Sequence, residues 1–136
     1  MRAADDLGLA GLMGGVAMQV NSAHETILVV EDDPDVRDYA SRVLEDCGYT
    51  VLTAEDGATA LSMLGDGVRI DVLFTDIVMP GIDGIEVARR AVEQMPGLKV
   101  LFASGYTAGF GPVQHLLKKP YRPRQLANEI AVALKE

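Results

Sequence analysis

The chain has 136 residues, the length of one ordinary domain, and 49% of them are hydrophobic. Its formal net charge of -8, with no basic stripe along the sequence, disfavours direct binding to nucleic acid. No stretch is long and apolar enough to span a bilayer. The only cysteine, Cys47, cannot form an internal disulfide and fits a reducing compartment. We therefore expect a cytoplasmic protein in which Cys47 is a small buried apolar residue.

Residues 1–25 differ in composition from the rest and are interpreted as a linker or N-terminal extension. The run over residues 7–20 is apolar and rich in glycine, and the charged residues before it lack the net positive balance of a signal peptide. Apolar residues in this run also fall at helical spacing, so a short docking or dimerising helix is the alternative. The domain proper is predicted over residues 26–136.

The first half of the domain is predicted to alternate strand and helix twice. An apolar strand, Ile27–Val30, stops at three acidic residues, and Pro34 then suits the first turn of a helix. Gly48 ends that helix, because glycine favours the position just after a helix. A second strand, Tyr49–Ala54, is followed by a helix that Asp56 caps.

The second half continues the alternation of strands and helices. It is predicted to contain, in chain order, a strand over Ile70–Thr75, a helix over residues 85–94, strands over Val100–Ala103 and His115–Leu117, and a helix that begins at Pro123. Only 5% of the residues are aromatic, and an aliphatic core suits strands that are covered on both faces. This pattern predicts an open parallel sheet with right-handed crossovers.

Carboxylates cluster after two of the predicted strands. Glu31 and Asp32 directly follow the first strand, and Asp76 follows the third. In an open parallel sheet the ligand site lies beyond the carboxyl ends of the strands. Like charges close together raise one another's pKa or demand a cation, and oxygen ligands suit Mg²⁺. We therefore predict a metal site at this edge, whereas Asp33 is interpreted as a helix cap.

A cation and a hydroxyl are expected at the same edge of the sheet. Lys119 follows the fifth predicted strand, and Ser104 ends the fourth. A carboxylate nucleophile, a cation, a hydroxyl and a divalent metal together make a phosphoryl-transfer site. The carboxylate attacks phosphorus in line, while the positive groups and the hydroxyl neutralise the other oxygens. The spacing of charges therefore predicts phosphoryl-transfer chemistry.

Four segments of the sequence resemble the response-regulator receiver family of the CheY-like superfamily. They are ILVVEDDPDVR (27–37), TDIVMPGIDG (75–84), FASGY (102–106) and LKKPY (117–121). They occur in the family's order, and the resemblance covers about residues 26–135. It implies a doubly wound α/β fold with a five-stranded parallel sheet of flavodoxin-like order 2-1-3-4-5 and helices on both faces.

The resemblance implies roles for the residues at the strand ends. Asp76 is expected to be the phosphorylated aspartate, Lys119 to pair with the phosphoryl group, and Ser104 to be the switch hydroxyl. The Lys119–Pro120 bond is expected to be cis. Lys118 is the competing candidate for the cation, but the residue immediately before the proline matches the motif.

The resemblance also implies Mg²⁺ as the cofactor. Asp32 and Asp76 are expected to ligate the ion, together with the main-chain carbonyl of Val78. Glu31 is expected to act on the metal through water. These four residues are the metal site that the family pattern implies.

Two segments depart from the family pattern. Only fourteen residues lie between Ser104 and Lys119, so the fourth helix of the family must be very short or replaced by a loop. Leu116 stands where many members carry a Tyr or Phe that turns inward on activation. A leucine cannot make that rotation together with the hydroxyl, and we expect the usual output route to differ here.

The implied function is that of a phosphoacceptor receiver domain in two-component signal transduction. A histidine kinase or phosphotransfer protein would phosphorylate it with Mg²⁺, and the phosphoryl group would switch a surface that binds an unknown downstream protein. It is expected to be a signalling module that assists its own phosphoryl transfer and autodephosphorylation, not an enzyme for outside substrates. A single-domain regulator and the receiver of a hybrid kinase both fit, and the oligomeric state stays open.

Three other functions fit the sequence less well. An aspartyl phosphatase usually has a second acid two residues after its nucleophile, and that position is Val78. A binding module that is never phosphorylated would usually have lost the acceptor, the acidic pair or the lysine. Flavin binding on the same topology lacks a phosphate loop after the first strand.

Overall fold

The computed structural model describes residues 25–105 and 115–136. Strands and helices alternate from the first strand to the fourth as the sequence predicts, and residues 106–114, before the fifth strand, lie outside the described part. The elements are β1 (Thr26–Val30), α1 (Pro34–Asp46), β2 (Thr50–Ala54), α2 (Gly57–Gly65), β3 (Val72–Asp76), α3 (Gly84–Gln94), β4 (Lys99–Ser104), β5 (Leu116–Lys118) and α4 (Pro123–Lys135).

The five strands form one parallel sheet in the order β2-β1-β3-β4-β5. This is the 2-1-3-4-5 order that the resemblance implied. The chain leaves β1 toward β2 on one side and later returns to β3 on the other, so the switch in strand order falls between β1 and β3. Ligands bind beyond the carboxyl ends of the strands at such a point.

Helices cover both faces of the sheet, as predicted. Successive side chains of a strand point to opposite faces, so Ile27 and Val29 of β1 belong to one core and Leu28 and Val30 to the other. The helices α1 and α4 contact each other on the first face, and α2 and α3 on the second. The central strands are therefore enclosed by helices on both faces of the sheet.

Aspartates begin three of the helices. The side chains of Asp33, Asp56 and Asp83 accept hydrogen bonds from backbone N–H groups in the first turns of α1, α2 and α3. These bonds satisfy donors that a helix leaves free at its start. The interpretation of Asp33 as a cap, and not as a member of the metal site, agrees with this geometry.

Some predicted boundaries were wrong by one or two residues. The third strand begins at Val72 and not at Ile70, and Asp71, just before it, accepts with its carboxylate from the backbone N–H of Thr26 at 2.8 Å. The fifth strand begins after His115, whose φ of 56° lies in the left-handed region. Cys47 is half-buried against the core and not fully buried.

Several predictions fall outside the described residues. They concern the N-terminal segment, residues 1–24, and the predicted shortening of the fourth helix of the family, over residues 106–114. In the described part of the chain, none of the helices has the length and apolar character needed to cross a bilayer.

Candidate functional site

The carboxyl ends of four neighbouring strands bring the predicted site residues to one edge of the sheet. Glu31 directly follows β1, β3 ends at Asp76, and β4 ends at Ser104. Ser104 pairs with Lys118 of β5, so Lys119 follows at the same edge. The parallel register therefore assembles groups that are far apart in sequence.

Three carboxylates form an acid cluster, Glu31, Asp32 and Asp76. One oxygen from each lies within 4.8 Å of the others. Glu31 is 5% exposed and Asp76 is 7% exposed, whereas Asp32 lies at the surface. Carboxylates this close repel one another unless a cation lies among them, and hard oxygen donors are the ligands that Mg²⁺ prefers. The donor set therefore fits this ion.

The ammonium group of Lys119 bridges two members of the acid cluster. Its Nζ donates to Glu31 Oε1 at 2.7 Å and to Asp76 Oδ2 at 2.9 Å. Burial disfavours the charged ammonium, but the hydrogen bonds and charges of the two carboxylates outweigh it. The pKa of Lys119 is therefore raised above its usual value. The lysine is charged at neutral pH and aims at the carboxylate of Asp76.

Both carboxylate oxygens of Glu31 are engaged. Oε1 accepts from Lys119, and Oε2 accepts from the backbone N–H of Asp33 at 3.1 Å. Burial raises the pKa of Glu31, and these two donors oppose that rise without cancelling it. Glu31 therefore reaches into the cluster while it also ties the loop after β1 to the end of β5.

The loop after Asp76 is held closely against the start of α3. Thr75 Oγ1 donates to the main-chain oxygen of Asp76 at 2.9 Å, and the N–H of Gly84 donates to the oxygen of Ile77 at 2.8 Å. The side chain of Val78 is 49% exposed at the rim of the site. The backbone that carries the carboxylate of Asp76 is thereby fixed on both sides.

Ser104 and the segment after β5 complete the edge. Ser104 is fully buried, and its main-chain oxygen accepts from the N–H of Lys119 at 2.9 Å. The Lys119–Pro120 peptide bond is cis, as expected. Lys118 is exposed, so of the two lysines it is Lys119 that enters the cluster.

Aromatic residues pack close to Lys119, which the sequence pattern did not predict. The ring of Tyr121 meets Phe74 edge-on at 5.8 Å between centroids, and the hydroxyl of Tyr39 donates to the main-chain oxygen of Tyr121 at 3.2 Å. Burial raises the pKa of Tyr121. A largely apolar cavity of about 350 Å³ lies beside them, lined by Val36, Tyr39, Lys119, Pro120 and Tyr121. The wholly aliphatic core expected from composition therefore has an aromatic corner next to the site.

Comparison with known proteins identifies the class. The family model described as the response regulator receiver domain matches residues 27–131. The chain therefore belongs to the response regulator receiver domain family. It is a module of two-component signal transduction, a family in which phosphorylation by a kinase with Mg²⁺ is general.

The chain is similar to two proteins of Brucella abortus, and it covers very different shares of them. The response regulator receiver protein CpdR is 42% identical over 111 residues, which make up 76% of this chain and 92% of CpdR. The sensor kinase CckA is 34% identical over 127 residues, which make up 85% of this chain but 13% of CckA. The chain thus matches nearly all of a small receiver protein and a small part of a large kinase.

Solved structures show the same fold. The receiver domain from the hybrid histidine kinase CckA has a TM-score of 0.71 and 38% identity, and the match covers 80% of this chain and 98% of that domain. The response regulator protein TrrA from Thermotoga maritima, solved in complex with Mg²⁺ and BeF, has a TM-score of 0.73 and 29% identity. That match covers 81% of this chain and 99% of TrrA.

Proposed function

We propose that Asp76 is the phosphoacceptor of this receiver domain and that Lys119 and Ser104 assist the transfer. The observation that carries the proposal is the hydrogen bond of 2.9 Å from Lys119 Nζ to Asp76 Oδ2 inside a cluster of three carboxylates. A lysine placed there neutralises charge on an incoming phosphoryl group that Asp76 receives. Asp76 supplies the carboxylate oxygen that serves as the nucleophile.

We assign the metal site to Asp32, Asp76, the main-chain carbonyl of Val78 and, through water, Glu31. The spacing of the three carboxylates and the hardness of their oxygens support this assignment. TrrA, with 29% identity, was solved with Mg²⁺ bound. When bound, the ion neutralises charge on the phosphoryl oxygens and lowers the repulsion between them and the carboxylates.

The reaction forms an acyl phosphate on Asp76. A carboxylate oxygen of Asp76 attacks phosphorus in line, the new O–P bond forms, and the bond from phosphorus to the donor's leaving group breaks with the electron pair staying on the donor. Lys119 then exchanges its bond to Asp76 for one to a phosphoryl oxygen, and the hydroxyl of Ser104 donates to another. The later attack of water on phosphorus releases phosphate and restores the carboxylate, which is autodephosphorylation.

The partners follow from this chemistry. The phosphodonor is a histidine kinase or a histidine phosphotransfer protein, and the phosphorylated face binds a downstream protein of unknown identity.

The receiver domain occupies residues 26–136, with residues 1–25 as a linker or extension, and the protein acts in the cytoplasm. With a net charge of -8, it does not bind nucleic acid itself.

Intact-mass spectrometry after incubation with acetyl phosphate tests the acceptor. With Mg²⁺, the wild-type protein is expected to gain one phosphoryl group, because Asp76 is the nucleophile and the ion offsets its repulsion of the donor. Asp76→Asn replaces the nucleophile with a group of the same shape and is expected to gain none. EDTA is expected to abolish the adduct in the wild type.

A second variant serves as the control for this experiment. Asp83→Asn changes an exposed helix cap outside the acid cluster, keeps a capping side chain, and is expected to be phosphorylated like the wild type. No adduct on a folded wild-type protein that binds Mg²⁺ would contradict the proposal. An adduct that persists in Asp76→Asn would contradict the assignment of the acceptor.

A further inference from the structure

Arg37 of α1 reaches back to the loop that carries two members of the acid cluster. Its Nη1 donates to the main-chain oxygen of Glu31 at 2.8 Å, and the arginine is half-buried. Arg37 touches none of the three carboxylates through a hydrogen bond or ion pair among the described residues. Its contact with the site is therefore with the backbone of the loop, not with the reacting groups.

The oxygen that Arg37 binds lies just beyond the sheet. β1 ends at Val30, and the N–H of Glu31 still donates to Ala54 of β2 at 3.1 Å. After this bond the chain turns toward α1, and the oxygen of Glu31 takes its donor from a side chain six residues later. A hydrogen bond from a charged donor is stronger than one from a neutral donor, so Arg37 holds this turn firmly.

The position of the Asp32 carboxylate depends on the conformation of that turn. Asp32 is exposed, and its side chain has no hydrogen bond or ion pair with any residue in 25–105 or 115–136. Its carboxylate is therefore placed by the backbone on either side of it. That backbone is fixed at Glu31 by Arg37 and at Asp33 by the N–H bond to Glu31 Oε2.

We propose that Arg37 is a positioning residue for the metal site, which it serves by fixing the loop that carries Asp32. The inference rests on the Mg²⁺ site proposed above and adds to it a residue that does not touch the ion. Removing a nearby positive charge would by itself strengthen the binding of a cation. A loss of Mg²⁺ affinity without Arg37 therefore indicates positioning and cannot come from charge alone.

Isothermal titration of the full chain with MgCl₂ tests the proposal. Arg37→Met keeps much of the aliphatic stem and removes the donor, and it is expected to weaken Mg²⁺ binding about tenfold, as the loss of residues that support metal ligands does. Arg37→Lys keeps a charged donor and is expected to recover part of the affinity. Arg42→Met removes an exposed charge from the same helix, one that pairs with Asp38 at 3.3 Å, and is expected to bind like the wild type.

A measurement without metal separates a local effect from general destabilisation. In EDTA, amide hydrogen exchange at Asp33 is expected to be faster in Arg37→Met than in Arg42→Met, whereas exchange at the buried Leu126 of α4 stays the same. Mg²⁺ binding by Arg37→Met that equals or exceeds that of Arg42→Met would overturn this inference alone. A wild-type protein that binds no Mg²⁺ would overturn the metal site and this inference with it.

Discussion

Lys119 is the residue whose charge keeps the acid cluster together when no metal is bound. Two largely buried carboxylates share its ammonium, and burial alone would disfavour all three charges. Removing the lysine leaves two buried negative charges without a partner. The free-energy cost of leaving them unpaired is larger than the net stabilisation that the bonded group provides. In the proposed function, the same lysine stabilises the protein before phosphorylation and neutralises charge on the phosphoryl group during it.

We predict that Lys119→Met lowers the free energy of unfolding by about 1–3 kcal/mol at neutral pH in EDTA, less than for a fully buried pair because the site is partly open. The folded-state pKa of Lys119 is raised above 10.5, so its stabilisation is complete below that pH and is lost as the pH rises through the folded-state pKa. The difference in the free energy of unfolding between the wild type and Lys119→Met should therefore shrink in strong alkali. Urea unfolding followed by circular dichroism measures this difference at neutral pH and in alkali.

Lys118→Met is the matched control for this prediction. Lys118 is exposed and has no ion pair within the described residues, so its loss is expected to change stability by less than about 0.5 kcal/mol. A cost for Lys119→Met that equals that of Lys118→Met, or that does not change in alkali, would contradict the role given to Lys119.

Some site residues could be predicted from the sequence and others could not. Glu31, Asp76 and Lys119 follow short apolar runs, so their positions at strand ends are visible in the pattern. The contact of Arg37 with Glu31 was not predicted, because an arginine in the second turn of a helix is ordinarily a solvated surface residue. Arg37 lies six residues after Glu31, and this spacing indicates the contact only when the angle between β1 and α1 is known.

At the scale of elements, the start of α3 is packed directly against the end of β3. A Cβ on Gly84 would lie 2.9 Å from the main-chain carbon of Asp76 and closer still to its oxygen. Both are backbone atoms, which cannot rotate away as a flexible side chain can. The loop between β3 and α3 therefore packs so tightly that position 84 has no room for a side chain.

Gly84→Ala is accordingly predicted to destabilise the protein by about 1–3 kcal/mol or more, because the added methyl group forces the backbone of Asp76 to move. Gly65→Ala is the control, since nothing lies within 4 Å of its Cβ position at the end of α2. There we expect a neutral effect or a gain of up to about 1 kcal/mol. Equal stability of the two variants in urea would show that the loop is not as tight as the structure indicates.

Element boundaries were harder to predict than element types. The apolar pattern identified β3, but its first residues were misassigned because Ile70 is apolar while lying outside the strand. There the backbone N–H of Thr26 donates to the side chain of Asp71, and the hydrophobic pattern carries no information on such a contact. His115 was likewise counted in β5 because its left-handed backbone leaves no mark in an apolar run.

At the scale of the whole molecule, the sheet separates two cores and presents one functional edge. β3 is wholly buried and β1 is buried from Ile27 onward, and the acid cluster lies at the carboxyl ends of these two neighbouring strands. The alternation of strands and helices predicts this architecture, since parallel strands with right-handed crossovers leave few arrangements. Strand order itself came from the resemblance, because an alternating pattern does not say which strands are neighbours.

The central claim is that this edge is a phosphoacceptor site in which Asp76 receives the phosphoryl group. Its most direct test is to locate that group in the wild-type protein after reaction with acetyl phosphate and Mg²⁺. Borohydride reduces an acyl phosphate to an alcohol, and peptide mass spectrometry then identifies the reduced residue. We predict reduction at Asp76 alone. Reduction at Asp32 or at another carboxylate, or a phosphoryl group that resists borohydride, would contradict it.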